Sequence, residues 1–388
     1  MLSNTVLWLA STALVTAAPH HARSALTCTE IDIPVNISSP VLSLPNNLNL
    51  LSVQDPSFLS KFVAGLSSTI AAGQYSIGAR YCEPTTNIAS RRNTLQILVH
   101  GSTYTRDYWS GLAAPGTQPS QDQYSWILYA ASQGYPTLSV DRLCNGNSTR
   151  GLSAKDCQLP TQAEALYSVI QSARLGTLPG AQRSFDKIIY AGHSYGAMVG
   201  NALSIQHPEA VDSYLMTGFS FKLLQGQAGV IVQSGFQPAA IALPQKYGHL
   251  DPGYVTSTNG AGVRSVFYHG NFDDAVFQQD FSKRGTLTIA EVYTATFGQM
   301  NSPGYTGSVF VLNGNEDGVF CEDGPLQAVL GVAGDCSKGF SEGVREGYPN
   351  ARAFGFYNTA NTGHCLNTHR TAQESFRAAH EWLGGQGF

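Results

Sequence analysis

From about Leu95 onward, short apolar runs rich in β-formers alternate with longer segments whose apolar residues recur at helical spacing. Residues 95–99 (LQILV), 137–140, 187–191 (KIIYA), 213–217 (SYLMT), 308–312 (SVFVL) and 353–357 (AFGFY) read as strands. Residues 161–175, with apolar positions at 163, 166, 169, 170 and 173, read as a helix, as do 195–206, ended by His207-Pro208, and 371–383. Strand and helix in alternation predict βαβ units: an α/β fold with a mostly parallel central sheet flanked by helices.

Two stretches break the alternation. Residues before about 90 suggest a strand pair and a helix. Residues 218–305, rich in Gly, Gln, Pro and aromatics, are too long for a connecting loop. They read as a largely helical cap insertion over the carboxyl ends of the strands, with the core on 18–217 and 306–388. The cap aromatics Phe219, Phe221, Phe236, Phe267, Tyr268, Phe272 and Phe277 suit either the cap's own core or a dry pocket beneath it.

Composition narrows the class. Of 388 residues, 43% are hydrophobic and 12% charged, enough apolar material for a large core. The net charge of −4 comes without runs of like charge, so nucleic acid and an anionic membrane surface are not expected partners. Residues 6–18 (VLWLASTALVTAA) are apolar, too short to span a bilayer, and small at positions 15–17; residues 1–17 read as an export signal peptide. The expected location is therefore extracellular, without stable membrane insertion.

The seven cysteines all follow that segment, and none has zinc-site C-x-x-C spacing. In an oxidising compartment they pair. Cys144–Cys157 and Cys321–Cys336 are local candidates, each closing a loop for about 3 kcal/mol of chain entropy; Cys28–Cys82 ties down the N-terminal arm, and Cys365 is left over. Connectivity stays open from sequence. The sequons at Asn36 and Asn147 agree with a secretory route and a glycoprotein.

The sharpest chemical signal is Gly192-His193-Ser194-Tyr195-Gly196, set between a predicted strand and a predicted helix. This G-x-S-x-G turn exposes a serine on a strained strand-to-helix corner, its glycines letting the chain turn sharply. A serine hydroxyl needs a positioned base and an orienting acid to act as a nucleophile. The acid belongs after a late strand, where Asn313-Gly314-Asn315-Glu316-Asp317 follows SVFVL. Asp317 is chosen because it precedes the turn-forming Gly318, with Glu316 as the alternative. The base belongs after the last strand, which selects His364; His249, His369 and His380 read as surface or cap residues. Oxyanion donors are expected from the Tyr195 backbone N–H and from the His100-Gly101-Ser102-Thr103 loop, with Ser102 N–H favoured.

Strand–HG, strand–DRLCNGNST, strand–GHSYG–helix, strand–GNED and a final GH, over residues 95 to 385, together resemble the α/β-hydrolase superfamily of the AB-hydrolase type. Asp141-Arg142-Leu143-Cys144-Asn145-Gly146 looks like the family's Asp-Arg-x-Gly-x-Gly turn, with Cys144 where glycine is common. The whole resembles secreted fungal serine hydrolases. The resemblance implies the α/β-hydrolase fold and cleavage of an ester, in preference to an amide or lactone, through an acyl-enzyme, with no metal or organic cofactor. It sets aside epoxide hydrolases and haloalkane dehalogenases, which carry a carboxylate at the elbow. Two other readings stay open: a lyase, acyltransferase or cyclase of secondary metabolism, and a binding protein on the same scaffold. A small apolar or neutral molecule is the expected substrate.

Overall fold

The computed structural model describes residues 26–45, 50, 64–115, 117–150 and 153–388; the expected export segment, residues 1–17, lies outside them. The frame is an eight-stranded sheet of β1 (Cys28–Leu42), β2 (Ser68–Cys82), β3 (Thr94–Val99), β4 (Thr137–Val140), β5 (Lys187–His193), β6 (Ser213–Thr217), β7 (Ser308–Gly314) and β8 (Ala353–Thr359). Their order is β1-β2-β4-β3-β5-β6-β7-β8. The six strands from β3 to β8 pair in parallel, whereas β2 runs antiparallel to both β1 and β4. β3, β4, β6 and β7 are buried along their whole length, which is why they read as unbroken apolar runs.

The expected N-terminal strand pair is present. β1 and β2 are each 15 residues and paired throughout. β1 alternates Ile33, Val35 and Ile37 inward with Asp32, Pro34 and Asn36 outward, the period-2 pattern of an edge strand with one wet face. Residues 46–49 and 51–63, between the two strands, lie outside the described ones.

Helices α1 (Trp126–Ser132), α2 (Leu159–Leu175) and α3 (Tyr195–Gln206) fill the crossovers. Between β6 and β7 lie α4 (Leu223–Ser234), α5 (Gly260–Phe267), α6 (Asp274–Lys283) and α7 (Ile289–Thr294). A small antiparallel sheet of Gln237–Pro238, Tyr254–Thr256 and Leu287–Thr288 joins them; two-residue strands leave no periodic trace in a sequence. α8 (Ala372–Gly385) closes the chain.

One buried ion pair fastens α7 to the core. Arg142, after β4, donates Nη1 to Glu291 Oε1 and to Gln162 Oε1 of α2, and both members of the pair are fully buried. The same glutamate accepts from Gln162 Nε2 at 2.9 Å and from Thr288 N at 2.6 Å, the latter as half of a capping box that starts α7.

The three suggested disulfides, Cys28–Cys82, Cys144–Cys157 and Cys321–Cys336, are all formed, and Cys365 is free and buried. Asn36 and Asn147 of the sequons are exposed. His249 is exposed, but His369 and His380 are buried, against expectation. His380 sits among the rings of Trp126, Tyr129 and Tyr135. A neutral imidazole packs there as an aromatic, a role that a charge-based reading of histidine overlooks.

Candidate active site

Ser194 is the first residue after β5 and the N-cap of α3, with φ 55° and ψ −118°. That positive φ is unfavourable for any residue with a Cβ. The flanking glycines do not share it; neither Gly192 nor Gly196 has positive φ. Their role is close approach: a Cβ on Gly192 would lie 2.6 Å from Gly196 O, and one on Gly196 would lie 2.2 Å from Val99 O. The glycines thus let β5, α3 and β3 converge, and the serine itself carries the strain. Ser194 N donates to Thr217 O at 2.8 Å, anchoring the turn to β6.

Asp317 and His364 meet across loops that follow β7 and β8. His364 Nδ1 is 2.8 Å from Asp317 Oδ2, and both side chains are buried. The other carboxylate oxygen, Oδ1, accepts from Val319 N (2.8 Å) and Phe320 N (3.0 Å). Three hydrogen bonds fix the acid, and the Nδ1 contact leaves Nε2 as the free face of the imidazole. Glu316 is not part of this contact. It is half-buried, and its backbone N–H donates to Thr362 O. The Cys321–Cys336 bridge spans the same loop, with Cys336 N donating to Asn315 O.

Ser194 and His364 line one cleft, partly open to solvent, together with Ser102 and Tyr195. Tyr195 opens α3, so its N–H belongs to the first turn, where no intrahelical acceptor exists. Ser102 lies on the loop after β3, whose next residue, Thr103, has φ 58°. A β-branched residue there is a second strained position that the sequence does not announce. Gly285 N, in the stretch between α6 and α7, donates to Thr103 O at 2.6 Å and pins the loop.

Behind the cleft stand neutral histidines. His193 stacks on Tyr108 (centroids 4.4 Å, 14°), lies 4.9 Å from the His364 ring and reaches Thr217 Oγ1 at 3.2 Å. Burial, then its imidazole neighbours, hold it well below the usual histidine range. His100 Nε2 accepts from Arg142 N at 3.0 Å, so its Nδ1–H donates to Gly101 O at 2.8 Å. Burial and the Arg142 charge keep it neutral. Arg142 also lies 4.6 Å from the centre of the Tyr195 ring and brings Nη2 to 3.3 Å from Gly101 O. It therefore touches both loops that carry the expected oxyanion donors.

Of the aromatics singled out in the sequence, Phe236 and Phe267 line the cleft, joined by Phe281. Phe219, Tyr268 and Phe277 are buried in packing. The cleft also holds Asp280 of α6 and Tyr104, which sequence reasoning missed; within residues 218–305 it singled out only aromatics, and the tertiary fold brings Asp280 inward.

Residues 96–373 match the sequence model of the alpha/beta hydrolase family. No curated protein matches the chain in sequence. Solved structures of similar shape include an epoxide hydrolase variant from Vigna radiata, 13% identical, with TM-score 0.50 over 80% of this chain and 96% of that one. A thermophilic esterase from Thermogutta terrifontis is 14% identical, with TM-score 0.46 over 81% and 96%. At such identities the likeness is one of fold. Among the described residues no helix is long and apolar enough to cross a membrane.

Proposed function

Because the chain belongs to the alpha/beta hydrolase family, we propose that it acts as a secreted serine hydrolase cleaving a carboxylic ester. One observation carries this reading: a serine on a strained elbow shares a cleft with an imidazole whose Nδ1 is held by a buried carboxylate.

In this reading His364 Nε2 takes the Ser194 proton as Oγ attacks the ester carbonyl. Asp317 fixes the imidazole tautomer and stabilises the imidazolium. The Tyr195 and Ser102 N–H groups stabilise the oxyanion, each worth about 3–4 kcal/mol in the transition state. His364 returns the proton to the leaving alcohol, and water then releases the acyl group from Ser194 by the same route.

Residues 218–305 act as the cap, lining the cleft with Val230, Ile231, Phe236 and Leu287. Those walls favour a small apolar or neutral substrate. Serine at the elbow supports an ester over an epoxide, whose opening in this fold uses a carboxylate there. Secretion is supported by the apolar N-terminal segment, three disulfides and two exposed sequons.

The test is fluorophosphonate labelling of the purified protein, read by peptide mass, with Ser194→Ala as control. A single adduct on the Ser194 peptide, absent from the variant, is expected, together with turnover of simple esters. A folded protein that takes no label would sink the reading. A labelled serine with no ester turnover would move the assignment to acyl transfer or lyase chemistry.

A further inference from the structure

The cleft contains a carboxylate that the triad does not use. Asp280 lines the same cleft as Ser194 and His364, and is 7% exposed. One oxygen, Oδ2, accepts from the Tyr104 hydroxyl at 2.7 Å and from the Tyr268 hydroxyl. The Tyr104 hydroxyl also lies 2.9 Å from Cys365 Sγ, and Thr368 Oγ1 lies 3.0 Å from the Tyr268 oxygen. Burial, followed by the Asp280 charge, keeps both phenols protonated; burial likewise keeps the Cys365 thiol protonated. Every group facing Oδ2 is thus a donor, and the two tyrosines fix which way the carboxylate points.

Its second oxygen has no such shell. Among the described residues none donates to Oδ1, and no cation pairs with Asp280. Burial pushes the carboxyl up to about 6 while the two tyrosines pull it down, so it stays mostly ionised at neutral pH. A carboxylate oxygen without a donor from the protein is left for solvent or a bound group to satisfy, and a ligand that displaces the solvent must supply the donor itself. Arg284, four residues on, lines the cleft too, with Nε and Nη1 donating to Ser257 O and Phe281 O. Its charge disfavours a cationic ligand, which leaves a neutral donor.

We propose that Asp280 is a specificity determinant: Oδ1 accepts a hydrogen bond from an alcohol or phenol hydroxyl on the substrate, remote from the scissile carbonyl. This rests on the ester-hydrolase reading above and narrows its substrate class to hydroxylated apolar esters. A site built to pair a substrate hydroxyl rejects the analogue without it, because the buried acceptor is then left unpaired.

The experiment compares kcat/KM for esters bearing a hydroxyl with their methyl ethers, over a graded series of spacer lengths. Wild type is expected to prefer the hydroxyl about 10- to 100-fold at one spacer length. In Asp280→Asn the tyrosines retain the amide oxygen and turn the NH2 into the cleft, where it serves an ether as well as a hydroxyl. The ratio is then expected to fall towards unity. A purely structural Asp280 would lower both rates and leave the ratio alone. The wild-type series needs no variant: equal rates at every spacer length overturn the proposal. Fluorophosphonate labelling of Ser194 in both proteins separates failure of the hydrolase reading from failure of this one. If turnover is absent, the Kd ratio for matched hydroxy and methoxy methyl ketones, measured by calorimetry, decides the point by the same criterion.

Discussion

Glu291→Gln tests how the segment between β6 and β7 is fastened to the core. The pair it breaks has both side chains fully buried. Removing one member of such a pair costs about 3–5 kcal/mol, because the survivor is left charged and out of water. Partial compensation places the cost at the lower end. Arg142 keeps Gln162 Oε1 at 2.6 Å and Gly101 O at 3.3 Å. In the reverse variant, Arg142→Met, Glu291 keeps Gln162 Nε2 and Thr288 N. Each single variant should therefore lose about 3 kcal/mol. The double variant, with no stranded charge, should lose far less than the sum, giving a coupling of about 3 kcal/mol. Urea unfolding with disulfides intact measures this, followed by far-ultraviolet circular dichroism and tryptophan fluorescence to check that the transitions coincide. Single losses below about 1 kcal/mol, or losses that add within about 0.5 kcal/mol, would refute the argument.

Two further outcomes follow from the geometry. Asp317→Asn should lower kcat on a simple ester by roughly 10³- to 10⁴-fold, in line with loss of the orienting acid elsewhere, while Glu316→Gln should stay within about twofold; steady-state rates that reversed this order would exchange the two roles. His369 and His380 are held neutral by burial, each pushed down to about 4. Unfolded histidine titrates near 6.5, so the unfolded chain binds the extra protons, and stability present at neutral pH is lost as pH falls from about 6.5 to about 4. The loss is roughly 3 kcal/mol for each histidine, and denaturant midpoints across that window should show a shallower slope for His380→Gln than for wild type.

β3, β4, β6 and β7 were legible because burial on both faces writes them as unbroken apolar runs, and the elbow because its glycines are required by close approach. The contact between Asp317 and His364 could be anticipated because the connections after β7 and β8 start at the same end of neighbouring parallel strands. What stayed hidden depends on partners distant in sequence. Asp280 becomes a cleft group only when Tyr104, 176 residues away, closes over it, and Arg142 meets Glu291 across 149 residues. His380 was misread for a related reason. Its imidazole caps nothing local beyond Phe376 O, and its burial comes from rings of another helix and from Gln96 of β3. Periodicity reports a residue's own element, and these residues are defined by someone else's.

The dihedral angles of Ser194 bear on how the chain would drift under artificial selection. A positive φ at a residue with a Cβ costs of order 1–3 kcal/mol, a cost that glycine escapes. A library screened only for heat resistance would therefore enrich Ser194→Gly and discard the hydroxyl. On the proposed reading, an evolution experiment on this protein must select for turnover in every round, or thermostability will be reached by erasing the nucleophile.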